Sequence, residues 1–308
     1  MSHLRVSTSP HIHSGNSTAG IMRDVLIALL PTSLAGVIIF GWRALLVLFV
    51  SVASAVGFEA VYNLILKKDQ TVGDLSAAVT GLLLGLNLPA TIPIWQIVLG
   101  NLFAIIVVKC LFGGLGCNFV NPAIAGRVFM LISFGAMAKN AFPTGVDAVT
   151  SATPLDSMMA GGSVDLLDLV LGNIGGSIGE VSKLALVIGL VYLLVRRVIT
   201  WQIPTVYIGS VFVLSCLFNG FDLYSALLMT LSGGLFIGAI FMATDYVTSP
   251  ATGFGKAIFA LGAALITVMI RFFGNYPEGV SFAILFMNLL VPYIEVWTRH
   301  KRFGEVKA

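Results

Sequence analysis

Gly81-Leu82-Leu83-Leu84-Gly85, closing on Ala90-Thr91, returns 153 residues later as Gly234-Leu235-Phe236-Ile237-Gly238, closing on Ala243-Thr244. Both stretches read G-L-x-x-G-x-x-x-x-A-T. Glycines four apart share one helix face and let a neighbouring backbone come close. The first copy lies in a short apolar run, 75–88, stopped by Pro89 and Pro93. Such a run falls short of the roughly 20 residues that cross a hydrocarbon core. A broken element at membrane depth is tolerated only where protein or a cavity satisfies its freed backbone groups. Run 75–88 and the fifth run, which begins in the Gly-rich turn Gly113-Gly114-Leu115-Gly116, are therefore expected to be broken, and the pair of copies predicts a duplicated architecture. A chance match between two helices rich in Gly, Ala and Leu is the plainer reading of the same pattern.

The rest of the chain supports a membrane setting. Apolar residues fill 57% of the 308 positions and charged residues only 10%. A soluble domain carries about 25% charge, so most of this surface must face lipid. Ten apolar runs follow in order: 24–40, 44–66, 75–88, 94–112, 119–138, 181–195, 203–218, 223–242, 257–273 and 280–297. The two repeat copies fall on the third and eighth. Five spans separate them, so they point in opposite directions, as in an inverted-topology repeat. The expected fold is an all-α integral membrane protein of about ten transmembrane helices, built as two inverted five-helix repeats with broken helices. A single membrane domain covers 1–308: tail 1–23, first half 24–138, outer loop 139–180, second half 181–297, and tail 298–308. A separate soluble domain and a nucleic-acid partner are not expected. The polar start lacks a signal-peptide pattern, so the first span is expected to direct insertion.

Lys and Arg set the orientation. With the N-terminus cytoplasmic, the inner side holds Arg5, Arg23, Lys67, Lys68, Lys109, Arg196, Arg197, Lys256, Arg299, Lys301, Arg302 and Lys307. The outer side holds Arg43, Lys139, Lys183 and Arg271. Twelve against four places both termini in the cytoplasm.

Candidate chemistry is sparse. His3, His11, His13 and His300 all lie in the tails, so paired-histidine haem ligation inside the bilayer is excluded within this chain. Cys110, Cys117 and Cys216 fall short of the four thiolates of an ordinary iron–sulfur cluster. They read as buried small hydrophobes, with a cluster shared with another subunit through Cys110 and Cys117 as the alternative, and no metal site within this chain is expected. Glu59, Arg127 and Asp245 stand in or beside apolar runs, where an unpaired charge is costly and functional by default. Glu59 and Asp245 are candidates for an ion pathway, with an ordinary ion pair as the alternative. Arg127 follows the polar entry Asn118-Phe119-Val120-Asn121-Pro122-Ala123. It is expected to face the protein interior and to hold a flavin's polar edge, or to close a network with Asn121. In the outer loop, Asp147-Ala148-Val149-Thr150-Ser151-Ala152-Thr153-Pro154 offers an uncrowded hydroxyl on backbone that Pro154 biases toward extension. A turn rich in small hydroxyl residues is the alternative.

Asp147…Ser151-Ala152-Thr153 matches D-x-x-[ST]-[SG]-A-T, the pattern that bacterial flavin transferases recognise. With Ser9-Pro10-His11-Ile12-His13, Gly114-Leu115-Gly116-Cys117-Asn118…Asn121-Pro122-Ala123 and Thr244-Asp245-Tyr246…Ser249-Pro250, the chain resembles the RnfD/NqrB family. One branch of that family serves the Rnf ion-translocating electron transport complex. The other serves the sodium-pumping NADH:quinone oxidoreductase. The Rnf branch is favoured, because the quinone-reducing branch carries a longer N-terminal extension. The resemblance implies FMN esterified to Thr153, with Asp147, Ser151 and Pro154 completing the motif. It also implies a second, non-covalent flavin (riboflavin or FMN), for which Arg127 and Asn121 are the candidates. It implies a bacterial cytoplasmic membrane, partner subunits, a flavin transferase, and Na⁺ or H⁺ pumped as reduced ferredoxin passes electrons to NAD. The chain is expected to be inactive alone. A non-redox inverted-repeat transporter or channel is the competing class; it needs no Thr153 motif.

Overall fold

The computed structural model describes residues 17–134, 166–172, 174–274 and 279–299. Among these the secondary structure is helical, without strands. The elements are α1 (Thr18–Phe40), α2 (Trp42–Ile65), α3 (Ser76–Leu86), α4 (Ile94–Leu102), α5 (Pro122–Ser133), α6 (Leu166–Leu171), α7 (Lys183–Val195), α8 (Gln202–Phe218), α9 (Leu223–Leu231), α10 (Leu235–Ile237), α11 (Gly253–Phe273) and α12 (Val280–Thr298). Two of them continue as π-helix, α4 through Phe103–Cys110 and α10 through Gly238–Met242. Widened turns of this kind are rare and gather at functional sites.

The molecule is a membrane protein. Helices α1, α2, α11 and α12 are each long and apolar enough to span. The pair α9 and α10, bent by 66° at a break, makes a fifth span if taken together. Several shorter apolar helices accompany them. On α1, Leu30, Leu34 and Ile38 lie on one exposed face while Ala28, Leu29, Thr32 and Phe40 are buried. An apolar outer face of this kind is at home in lipid rather than water.

Local chemistry explains the boundaries. Helix α1 starts at Thr18 rather than in the run beginning at Asp24, because the Ser17 hydroxyl accepts from the Gly20 amide. Gly41, with φ of 72°, turns the chain sharply from α1 into α2. Helix α5 opens on Asn121, whose Oδ1 accepts from the Ala123 and Ile124 amides, with Pro122 in the first helical position. Run 119–138 is therefore a helix only from Pro122 to Ser133 within the described part.

The two repeat copies are α3 and α10 with its π extension. The first is short, as the sequence predicts; the second is also short, because the structure breaks run 223–242 at residues 232–234. Their C-terminal ends meet in the middle of the protein. The Asn87 amide lies 3.7 Å from Met242 Sδ. Between the ends runs the segment before α7, whose Ile178 and Gly179 amides donate to the Leu88 and Leu86 carbonyls. A Cβ on Gly179 would sit 2.7 Å from Leu86 and 2.9 Å from Ile237, so only glycine fits there.

Candidate functional site

Three of the polar groups buried among the described residues bear on the site. The first lies at the centre. Arg127, 3% exposed, donates from Nη1 to Asn87 Oδ1 at 2.5 Å and from Nη2 to Glu180 Oε1 at 2.9 Å. Lys183 donates to the Glu180 and Gly233 carbonyls. Gly234, the first glycine of the second copy, lies so close to the Glu180 carboxylate that a Cβ would stand 2.5 Å from it. The network thus ties the end of the first copy, the segment before α7 and the start of the second copy into one unit.

The described bonds of Arg127 run to Asn87 and Glu180. Asn121 takes a different part: beyond capping α5, its Nδ2 donates to the Met242 carbonyl at 3.1 Å. This fastens α5 to the end of the second π-helix. Glu180 is the residue that sequence reasoning missed. It stands outside every apolar run, and only the need of Arg127 for a buried counter-charge could have pointed to it.

A second group surrounds Glu59. Glu59 and Lys109 are 2% and 1% exposed, and Lys109 Nζ donates to Glu59 Oε1 at 2.8 Å and to Ser76 Oγ at 2.6 Å. Thr71 Oγ1 donates to the same Glu59 oxygen at 2.8 Å, and Ser76 Oγ donates to Asp74 Oδ1 at 2.5 Å. The ion pair that was the plainer reading of Glu59 is present. Lys109, counted by sequence as a marker of the inner side, is buried inside the protein. Lys183 and Arg271, counted as outer, are buried too. All three fall within apolar runs, which is the signal that could have set them apart. Without them the orientation count is eleven against two, a stronger asymmetry.

The third group is a cavity between the halves. Its polar lining is Ser76, Thr80, Lys109, Asn118, Asn121, Thr244 and Asp245; Val25, Val79, Leu83, Pro122, Leu193 and Phe241 supply apolar wall. Asp245 accepts from Thr248 Oγ1 at 3.0 Å. Asn118 is buried, and its Oδ1 has no hydrogen-bond partner. A buried amide oxygen without a partner is costly and marks a place where a ligand's donor would be welcome. Apolar walls with a few convergent polar groups are the ordinary chemistry of a cofactor pocket; the enclosed part of this one measures about 70 Å³, room for the edge of a ring system rather than for a whole cofactor. The structure thus brings Asn121 and Asp245 together, with Asn118, and places Glu59 one side chain behind, through Lys109. Thr153, Asp147, Ser151 and Pro154 lie outside the described residues.

Residues 5–304 match the family described as NQR2, RnfD, RnfE. The chain belongs to this family. It is 47% identical over 310 residues to the D subunit of the Na⁺-translocating ferredoxin:NAD⁺ oxidoreductase complex of Acetobacterium woodii, covering 99% of this chain and 96% of that one. It is 41% identical over 316 residues to the D subunit of the proton-translocating ferredoxin:NAD⁺ oxidoreductase complex of Clostridium ljungdahlii, covering 97% and 96%. The D subunit of the ion-translocating oxidoreductase complex of Citrobacter koseri is 36% identical over 346 residues, covering 98% and 99%. Each of these matches runs over nearly the whole of both chains.

Proposed function

We propose that this chain is the flavin-carrying membrane component, of the RnfD type, in a complex that couples electron transfer between reduced ferredoxin and NAD to outward pumping of Na⁺ or H⁺. Full-length similarity to the D subunits of such complexes supports the assignment. The chain works with other membrane and peripheral subunits. Apolar residues fill 57% of it and charged residues 10%, the composition of a membrane domain. Two of its relatives are named for different ions, so overall similarity does not choose between them.

FMN sits on the Thr153 hydroxyl as a phosphoester, placed there by a flavin transferase that reads Asp147 and Ser151-Ala152-Thr153. Tethering keeps the flavin at high effective concentration beside its redox partners. A flavin joins one-electron centres to two-electron chemistry when bound. A second, non-covalent flavin places the edge of its ring system in the cavity. The observation that carries this placement is the buried, unpartnered Asn118 Oδ1 on a wall that mixes apolar side chains with the polar ones named above. Asn118 accepts a ring N–H, Asn121 and the Thr80 and Thr244 hydroxyls line the polar edge, and the aliphatic wall excludes water. Arg127 braces this site rather than lining it, because its guanidinium is engaged with Asn87 and Glu180.

The fold reading that goes with this function has ten spans, as two inverted five-helix repeats, with both termini cytoplasmic and 139–180 outside. Reporter fusions at Lys68 and Gly162 should report opposite sides; reports from one side would contradict the topology. The function is tested in sealed membrane vesicles carrying the whole complex. Reduced ferredoxin and NAD should drive cation transport, and deletion of this chain should abolish it until the chain is restored. Undiminished transport in the deletion strain, or ferredoxin-dependent NAD reduction by the isolated chain, would overturn the assignment.

A further inference from the structure

Lys109 touches two of the polar groups at once. Its ammonium bonds Glu59 Oε1 and Ser76 Oγ, and its side chain forms part of the cavity wall that Asn118 and Asp245 share. Around the ammonium stand a carboxylate oxygen at 2.8 Å and a hydroxyl oxygen at 2.6 Å, with the Thr71 hydroxyl on the same carboxylate. Oxygen donors of this kind suit a small hard cation as well as an ammonium. The other carboxylate oxygen, Glu59 Oε2, is buried and has no hydrogen-bond partner. The pair is therefore a carboxylate with spare capacity, held neutral by a positive charge on a flexible four-carbon stem.

We propose that Lys109 is a tethered counter-ion that occupies a cation site made by Glu59, Thr71 and Ser76, and that it leaves this site for the cavity when negative charge collects there. This rests on the cavity being a redox cofactor's site, as proposed above. Charge balances at each stage. Asp245 on the cavity wall and Asp74, which accepts from Ser76, keep their charge states throughout; before the cavity gains charge, Lys109 neutralises Glu59. One negative charge gained in the cavity draws the ammonium across, and the carboxylate left behind takes one Na⁺ or one H⁺. When the cavity charge is passed on, Lys109 returns and displaces the cation. A buried carboxylate without a partner is strongly disfavoured, so the ammonium's departure and the cation's arrival are obligatorily linked. Lys109 is thus a positioning residue that joins electron arrival to cation uptake, and the chemistry of Glu59 decides which cation is taken.

The experiment uses the assembled complex in detergent, with ²²Na⁺ binding at equilibrium, infrared detection of a protonated carboxyl group, and the redox potential of the extractable flavin at varied Na⁺ and pH. In the oxidised wild type, Glu59 should bind little cation, and the potential should rise with cation concentration. Lys109→Met should bind Na⁺ at least tenfold tighter than wild type, or show a new carboxylic-acid band, and its potential should no longer respond to the cation. Adding Glu59→Gln should remove the tight Na⁺ binding or the new band. Neither tight binding nor a band in Lys109→Met, or a cation response kept intact in that variant, would overturn the proposal. Should Lys109→Met fail to assemble, the wild type still decides: a potential indifferent to both Na⁺ and pH rejects the linkage. Absence of any extractable flavin would reject the cavity assignment instead, while the binding and infrared arms would still judge Lys109.

Discussion

Lys109 and Arg271 stand at corresponding places in the two halves, each near the C-terminal end of the helix that follows a repeat copy, and both are 1% exposed. Their surroundings differ. Lys109 bonds a carboxylate and a hydroxyl, and beside it is open volume. Arg271 donates to the Met229 carbonyl at 2.6 Å and the Ser232 carbonyl at 3.1 Å, where α9 ends and the chain breaks before α10. Those carbonyls have lost their helical partners, and a planar fork of donors serves them where water cannot. One half uses its buried cation as a clamp on broken backbone. The other sets a single ammonium between an acid and a cavity. The proposed function rests on the site with open volume beside it, not on the clamp.

The glycines repeat this lesson. A Cβ on Gly81 would meet Ala55 Cβ and the Ser51 carbonyl at 2.7 Å, so the first copy packs against α2. A Cβ on Gly238 would meet Val280 at 2.5 Å, so the second copy packs against α12. The shared spacing allows close contact in both places but does not choose the partner.

The largest effect is expected at the centre that the halves share. Arg127→Met leaves Glu180 buried without the Arg127 guanidinium. Loss of about 3–5 kcal/mol is expected, seen as failure of the chain to join the complex or as a sharp drop in its thermal midpoint. Arg127→Met with Glu180→Gln should recover part of that loss. A single variant as stable as wild type would show that the halves are not joined there.

Arg271→Met separates the clamp from the tethered ammonium. It strands two carbonyls at the break, at about 1–3 kcal/mol for each unsatisfied group. Stability should fall while the redox potential keeps its response to cations. A lost response would mean that the two buried cations are not separate devices.

Smaller effects are expected at the glycines. Gly81→Ala forces α3 away from α2 and should cost about 1–3 kcal/mol by overpacking. Gly57→Ala, on α2 itself, meets nothing within 4 Å and should be neutral or gain up to about 1 kcal/mol. Equal effects in thermal melts would remove close packing as the reason for the first copy's glycines.

Much of this was legible in the sequence. The positions of the apolar runs and the short α3 follow from hydropathy, Pro89 and Pro93, whereas the break inside run 223–242 was not read, because that run is apolar from end to end. The burial of Glu59 and Arg127 follows from the cost of charge in a span. Their partners did not follow. Lys109 is fifty positions from Glu59 and Glu180 fifty-three from Arg127, and such pairings are set by packing. Lys109, Lys183 and Arg271 read as topology markers because a run's hydropathy does not say which of its faces is buried. The π-helical turns at Phe103–Cys110 and Gly238–Met242 leave no pattern in hydrophobic period strong enough to read.

The proposed function requires two flavins on this chain, one on Thr153 and one in the cavity between its halves. Flavin accounting on the purified complex is the direct test. The chain should show one covalently bound FMN, as a fluorescent band in denaturing gels and a mass increase of one FMN less water, and it should contribute one further flavin released by acid. Thr153→Val should lose the band and the mass increase but keep the released flavin, whereas Asn118→Leu should do the reverse. A labelled Thr153→Val chain, an unlabelled wild type made with an active transferase, or an Asn118→Leu chain with its full released flavin would contradict the proposal.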